Sequence, residues 1–355
     1  MDEILYIRDY YYSLLIVLIL AIFISFFSYL QKRNWRWIAE FLFLFFAAYT
    51  VFYIGDRSAN IGVDTSSYKY AFELYKNSSS FQVKKDAFYD FFTFICSKIL
   101  DFQGFLKVCS FLYVFSAYFS FKKIFRENFY LPFLIFLISP YFFQFGINVM
   151  RNGIAASLFL GGIASLYKGE KKWKVGLWMV SGTLFHLSMV LPLAAFFLVR
   201  YLNRTAIIFT AWLFAIVLAL LNVNFLSGLV GFFDIFATRF GDYTVNREET
   251  NSWGNFLIFG AFPVLFAVFN ILRMKYRNTF YSWMTNSYML IHIPYIILIN
   301  SQFALRLGYL AEFMMPVLLI FPLMEDSKIQ LQYSRLKLSL VILLVFLIKG
   351  YKILV

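Results

Sequence analysis

Residues 144–192 read QFGINVMRNGIAASLFLGGIASLYKGEKKWKVGLWMVSGTLFHLSMVLP, and two groups in them are out of place in an otherwise apolar helix pair. Arg151 opens one run, and His186 lies deep in the next. A guanidinium at the centre of a bilayer costs about 2.5–3.5 kcal/mol even on a lenient scale, so an intramembrane arginine faces a protein interior or a wet cavity and serves a function there. Arg151 is therefore a site candidate. His186 is one of two histidines, flanked by LWMVSGTLF and LSMVLPLAAFFLV, with no sequence neighbour more polar than serine or threonine. Its plainest role is a core imidazole bonded to a backbone carbonyl.

The surroundings explain why these two groups stand out. The 355-residue chain is 61% hydrophobic and 14% charged, with a mean hydropathy of +0.71, which excludes an ordinary soluble domain and describes an all-α polytopic membrane protein. A net charge of +13 does not make it a nucleic-acid binder. The basic residues come in short clusters between apolar runs (QKRNWR, FKKIFR, KGEKKWK, RYLNR, RMKYR, SRLK), which is the pattern of loops that orient helices and not a continuous basic face. Two cysteines, Cys96 and Cys109, make no disulfide framework and fit no metal spacing; no metal or other cofactor is expected. The run Ser13–Leu30 leads into QKRNWRW and not into a small-residue cleavage site, so it reads as a retained anchor.

Apolar runs near the roughly 20 residues needed to span a bilayer fall at 11–30, 37–54, 104–121, 129–146, 148–167, 205–226, 254–272, 281–300, 303–324 and 336–353. That makes about ten transmembrane helices in a single integral membrane domain, 1–355. The run 174–199 is ambiguous. If it enters and returns on one side, all six basic clusters share the cytoplasmic side, where 18 Lys and Arg face 4 acids. A re-entrant or broken element is therefore expected, turning near His186–Pro192, with His186 lifted by about 18 Å of helix to the floor of an outward-facing cavity.

Two segments then face outward, 55–103 and 227–253. In the first, Tyr68, Phe72 and Tyr75, then Phe88, Phe91, Phe92, Ile95 and Ile99, recur at three and four residues, the period of amphipathic helices lying in the interface. Asp64 is placed to cap the first of them. Gly153, Ser157, Gly161 and Ser165 form a small-residue stripe for close helix packing, with Arg151 turned away from it. Near the end, Arg306 and Tyr309 share a helix face with Gln302, and Glu312 follows one turn on.

There is no Gly-rich phosphate loop, HExxH, GxSxG or paired DxD. What remains is a set of cations (Arg151, Arg239, Arg306) and hydrogen-bonding groups (Asp64, Tyr68, His186, Tyr243, Tyr309). Guanidinium forks match phosphate oxygens bidentately, so this inventory suits a reaction whose leaving group is a lipid pyrophosphate.

The blocks GVDTSSYKYAFELY, VMRNGIAASLFLGGIASLYKGEKKWK, LFHLSMVLPL, TRFGDY and LRLGYLAEFMMPVLL resemble, in the same order over about 62–319, those of the Wzy/EpsG-type polysaccharide polymerases. The resemblance implies a GT-C-like membrane glycosyltransferase that makes O-antigen or exopolysaccharide at the outer face of the bacterial inner membrane. It would transfer a growing undecaprenyl-pyrophosphate-linked glycan onto the non-reducing end of a lipid-linked repeat, inverting the anomeric centre without a metal. Its partners would be that lipid-linked oligosaccharide, membrane lipid and a chain-length regulator protein. Arg151 and Arg306 would hold the pyrophosphate, and Asp64 and His186 are the candidates for the base that activates the acceptor, Asp64 being assigned to the acceptor side and His186 to phosphate or sugar contact. Tyr68, Tyr309, Arg239 and Tyr243 would bind substrate. A lipid-linked oligosaccharide flippase, an O-antigen ligase-like transferase and a membrane acyltransferase are the competing readings. A flippase would show two similar halves, and no internal repeat is present.

Overall fold

The computed structural model describes residues 3–31, 35–83, 86–221, 252–300, 304–325, 339–340 and 342–343, and among these every regular element is helical. Contacts group the chain into two compact units, residues 1–190 with 319–355, and residues 191–318. Among the described residues five helices are long and apolar enough to cross a membrane: Glu3–Ser28, Trp37–Gly55, Phe102–Asn128, Phe256–Arg273 and Leu305–Met324. A sixth is counted if the bent pair Tyr130–Ile138 and Tyr141–Asn148 is one span. The runs at 148–167 and 281–300 are helical as well, but they carry Arg151 and Asn152, or Asn286 and His292, and these polar groups pull their mean hydropathy down. The run 336–353 and the loop 227–253 lie almost wholly outside the described residues.

In the first unit, α1 (Glu3–Leu30) and α2 (Arg36–Gly55) are joined by hydroxyls. Tyr6 and Tyr53 each donate to the other's carbonyl oxygen, Tyr10 pairs with Thr50 at 3.1 Å, and Ser13 with Tyr49 at 2.9 Å. In hydrocarbon such bonds contribute about 0.6–2 kcal/mol each. They also fix the register of two helices that lipid alone would leave free to slide. Two short outer helices follow, α3 (Thr65–Asn77) and α4 (Ala87–Ile99), and then α5 (Phe102–Phe125), capped by Asp101, which accepts from the Gly104 amide at 2.7 Å.

The two outer helices exist where the periodicity places them, and they dispose of their apolar faces differently. Tyr68, Phe72 and Tyr75 are buried in α3. In α4 the buried residues are Tyr89, Asp90, Thr93, Cys96 and Ser97, while Phe88, Phe91, Ile95 and Ile99 are exposed. An apolar face left open on α4 is what a helix lying in the interface presents to lipid, while its other side, with Asp90 and Thr93, packs onto the unit.

Helix α6 (Tyr130–Ile138) and α7 (Pro140–Phe143) meet at an 83° bend. Ser139, which precedes Pro140, is extended (φ −64°, ψ 141°), as proline requires of its neighbour. The carbonyls freed there are taken up by other helices: Tyr11 donates to Ile138 O and Tyr113 to Phe142 O, each at 3.1 Å. A π-helical turn, Gln144–Asn148, then leads into α8 (Met150–Tyr167).

Helix α8 packs along α9 (Lys172–Phe185) through glycines. A Cβ on Gly161 would lie 2.9 Å from the Trp178 ring, one on Gly162 2.6 Å from Met179 Cγ, and one on Gly182 2.7 Å from Ala155 O. Of the small-residue stripe, Gly161 makes this close approach to α9, while Gly153 lies against Phe145 and Ser165 accepts from Lys123. After α9 the chain breaks at His186 (φ −155°, ψ 121°), makes a 3-10 turn at Leu187–Met189, and resumes as α10 (Val190–Tyr201). Pro192 has no amide hydrogen to give Ser188 O, and its ring would collide with that carbonyl in a continuous helix. The break expected at His186–Pro192 is present.

The second unit holds α11 (Thr205–Leu220), a helical stretch with π turns at Phe256–Ala261 and Phe269–Arg273, α12 (Thr279–Ile297) and α13 (Ala304–Glu312). Trp212, Phe256 and His292 pack in its core as tilted ring pairs, with centroids 5.7 and 6.4 Å apart in succession, and Tyr281 donates to Leu318 O at 2.8 Å.

Candidate functional site

The site is assembled where the extended residue His186 and the start of α8 meet a residue from the outer segment, Asp86. Arg151 Nη1 lies 2.7 Å from Asp86 Oδ2, and His186 Nδ1 lies 3.2 Å from the same oxygen. The other carboxylate oxygen, Oδ1, accepts from the Leu187 amide at 3.3 Å. That amide is available because the helix has ended one residue earlier. Asp86 stands at the N-cap position of α4 but makes no side-chain capping bond; its charge is spent on the arginine and the histidine instead.

The electrostatics follow from this crowding. Burial opposes ionisation of Asp86, but the hydrogen bond and charge of His186, the charge of Arg151 and the Leu187 amide outweigh it. The carboxyl is held below its ordinary range and is ionised at neutral pH. Arg151 also faces the Tyr89 ring, with Cζ 5.5 Å from its centroid, a cation–π contact that does not consume N–H donors. Its side chain keeps 20% of its surface exposed. Ser188 donates to Asn152 Oδ1 at 3.3 Å, tying the turn after His186 to the first turn of α8.

A second layer holds this arrangement in place. Arg57 is 1% exposed and donates to Thr65 Oγ1 at 3.3 Å, Ile54 O at 2.9 Å and Ile147 O at 3.3 Å. It has no carboxylate among these partners. Its charge instead meets carbonyls at the end of α2 and in the π turn ahead of α8, where helix dipoles leave partial negative charge. Tyr68 donates to Asn148 O at 3.0 Å, and the Val63 amide donates to Asn148 Oδ1 at 2.8 Å. Gly62 makes the turn between them at φ +88°, and a Cβ there would sit 2.2 Å from Ile147 Cγ2. Gly62→Ala should therefore cost at least about 1–3 kcal/mol through backbone strain alone. A thermal unfolding midpoint in detergent equal to that of the wild type would contradict the backbone placement.

The residues singled out in the sequence divide as follows. Arg151 and His186 come together through Asp86, and Tyr68 borders them through Asn148 and a 6.2 Å ring contact with Tyr89. His186 is not a core imidazole on a carbonyl; its partner is a carboxylate. Asp64 occupies the N-cap position of α3, but its backbone is helical and its side chain makes no capping bond, so the cap assigned to it is corrected. Arg306 and Tyr309 lie on α13 in the second unit, with a buried Glu312. Arg239 and Tyr243 are outside the described residues.

Asp86 is the residue that sequence reasoning missed. In KKDAFYDFF it looks like one more acid at a helix start. The available signal was the opposite charge that a buried arginine requires. Cys96 and Cys109 are both free and buried.

The model of the EpsG family matches residues 40–355. No curated protein and no solved structure matches the chain.

Proposed function

Because the chain belongs to the EpsG family, we propose that it is a polysaccharide polymerase, a membrane glycosyltransferase whose donor is a glycan on a lipid pyrophosphate. The growing chain leaves undecaprenyl pyrophosphate and is joined to the non-reducing-end hydroxyl of the next lipid-linked repeat, with inversion and without a metal. The fold carrying this reaction is GT-C-like, with about ten spans and a re-entrant element at His186. It lies in the bacterial inner membrane with its site on the outer face, beside a chain-length regulator protein.

The observation that carries the reading is the Arg151–Asp86–His186 cluster, an ionic group inside a largely apolar chain. Charges at that cost persist in membranes where they bind or move a substrate. A diphosphate leaving group needs fixed positive charge, and Arg151 retains donors beyond the one it gives Asp86. We also assign substrate contacts to Arg306 and Tyr309, and glycan contacts to Asp64, Arg239 and Tyr243.

The test is reconstitution. Purified protein in liposomes, given a lipid-linked single repeat and no gradient, should produce a series of longer lipid-linked glycans. Unchanged single repeats would sink the polymerase, and movement of the repeat across the bilayer without lengthening would identify a flippase. In cells, a tag at Asn246 should be accessible from outside; protection there would overturn the re-entrant topology.

A further inference from the structure

The Asp86–His186 contact has a direction, and that direction assigns chemistry. At neutral pH an ionised carboxylate only accepts hydrogen bonds, so the 3.2 Å contact from Asp86 Oδ2 to His186 Nδ1 requires the proton to sit on Nδ1. With one proton held on Nδ1, the neutral form of the ring carries its lone pair on Nε2, the nitrogen turned away from the carboxylate. The chain on the C-terminal side of His186 is held to the same cluster, because Leu187 N is bonded to the other oxygen of Asp86 and Ser188 is bonded to Asn152. Phe185 on the N-terminal side packs against Phe88, Tyr89 and Phe92 of α4, at centroid distances of 5.0, 6.4 and 5.6 Å.

We propose that His186 is the general base of glycosyl transfer and that Asp86 is the residue that positions it, in preference to Asp64 as the base. The proposal rests on the polymerase reading above. His186 Nε2 takes the proton of the acceptor hydroxyl as its oxygen forms a bond to the anomeric carbon. The bond from that carbon to the diphosphate oxygen breaks, and its electron pair leaves with the diphosphate, whose added charge Arg151 meets. The imidazolium is stabilised by Asp86 until it gives its proton to water. One carboxylate thus holds both the base and the cation that receives the leaving group, which keeps acceptor and donor ends of the reaction in a fixed relation. No other titratable side chain is in hydrogen-bonding contact with His186 among the described residues.

Two measurements test this separately. With only two histidines in the chain, ¹⁵N-labelled histidine spectra of the detergent-solubilised protein resolve each ring, His186 being assigned by its loss in His186→Gln. The Nδ1–H tautomer is expected for His186 in the wild type and its loss in Asp86→Asn; an Nε2–H tautomer in the wild type overturns the proposal whether or not the protein is active. In proteoliposomes with a lipid-linked single repeat, Asp86→Asn and His186→Ala should lower kcat by about 10²- to 10⁴-fold with KM little changed. Added imidazole should restore turnover to His186→Ala and not to Arg151→Ala. A His186→Ala protein that elongates at the wild-type rate overturns the proposal while leaving the polymerase reading intact. Wild-type protein that shows the Nδ1–H tautomer but lengthens nothing overturns the polymerase reading, and the catalytic assignment with it.

Discussion

Replacing Arg151 with alanine is expected to abolish long glycan chains while leaving protein levels and single-repeat products intact. The guanidinium sits 2.7 Å from Asp86 and over the Tyr89 ring, in a chain whose surroundings are mostly apolar. Loss of one preorganised donor to a developing anion costs about 10²- to 10³-fold in rate, and every addition to the chain would be slowed by that factor. Arg151→Lys should recover only part of the loss, because an ammonium supplies charge without the planar fork that meets Asp86 and a phosphate together. The measurement is the length distribution of lipid-linked glycan on a gel. Chains of wild-type length in Arg151→Ala would remove this residue from the site.

The second large effect is on stability. Arg57→Ala takes a 1% exposed side chain away from Thr65, Ile54 O and Ile147 O, leaving carbonyls unpaired in a buried place and a cavity beside Met150, whose sulfur lies 3.9 Å from the guanidinium. Unsatisfied buried groups cost about 1–3 kcal/mol each, so a total of about 3–5 kcal/mol is expected. At about 2–4 °C per kcal/mol for domains of 150–250 residues, the midpoint should fall by about 6–20 °C. Cys96 and Cys109, both free and buried, provide the readout: a thiol-reactive dye reports their exposure on heating. A midpoint within about 2 °C of the wild type would contradict the central place given to Arg57. Arg57→Lys should fall between the two, since one ammonium cannot reach the end of α2 and the π turn at once.

Both residues show what a linear reading catches and misses. Arg151 was legible because a charge in a long apolar run is costly wherever the fold puts it. Arg57, in GDRSAN, looked like any loop cation, and only the structure buries it. The helix break near His186 was legible from the order of basic loops along the chain. The inner contacts of α4 were not. Its period of three and four marks an apolar face for the interface but does not say that Tyr89, Asp90 and Thr93 on the other side are buried.

Local composition and order were thus enough to establish a helical membrane protein, its candidate cations and the family it resembles, because hydropathy, helix period and proline geometry are sums over neighbouring residues. The pairing of Asp86 with Arg151 and His186 belongs to tertiary structure alone. Asp86 lies 65 and 100 residues from its two partners, and what brings them together is the closure of the outer segment over α8 by Gly62, Arg57 and Tyr68. No stretch of the chain contains that contact, so no stretch of sequence could have shown it.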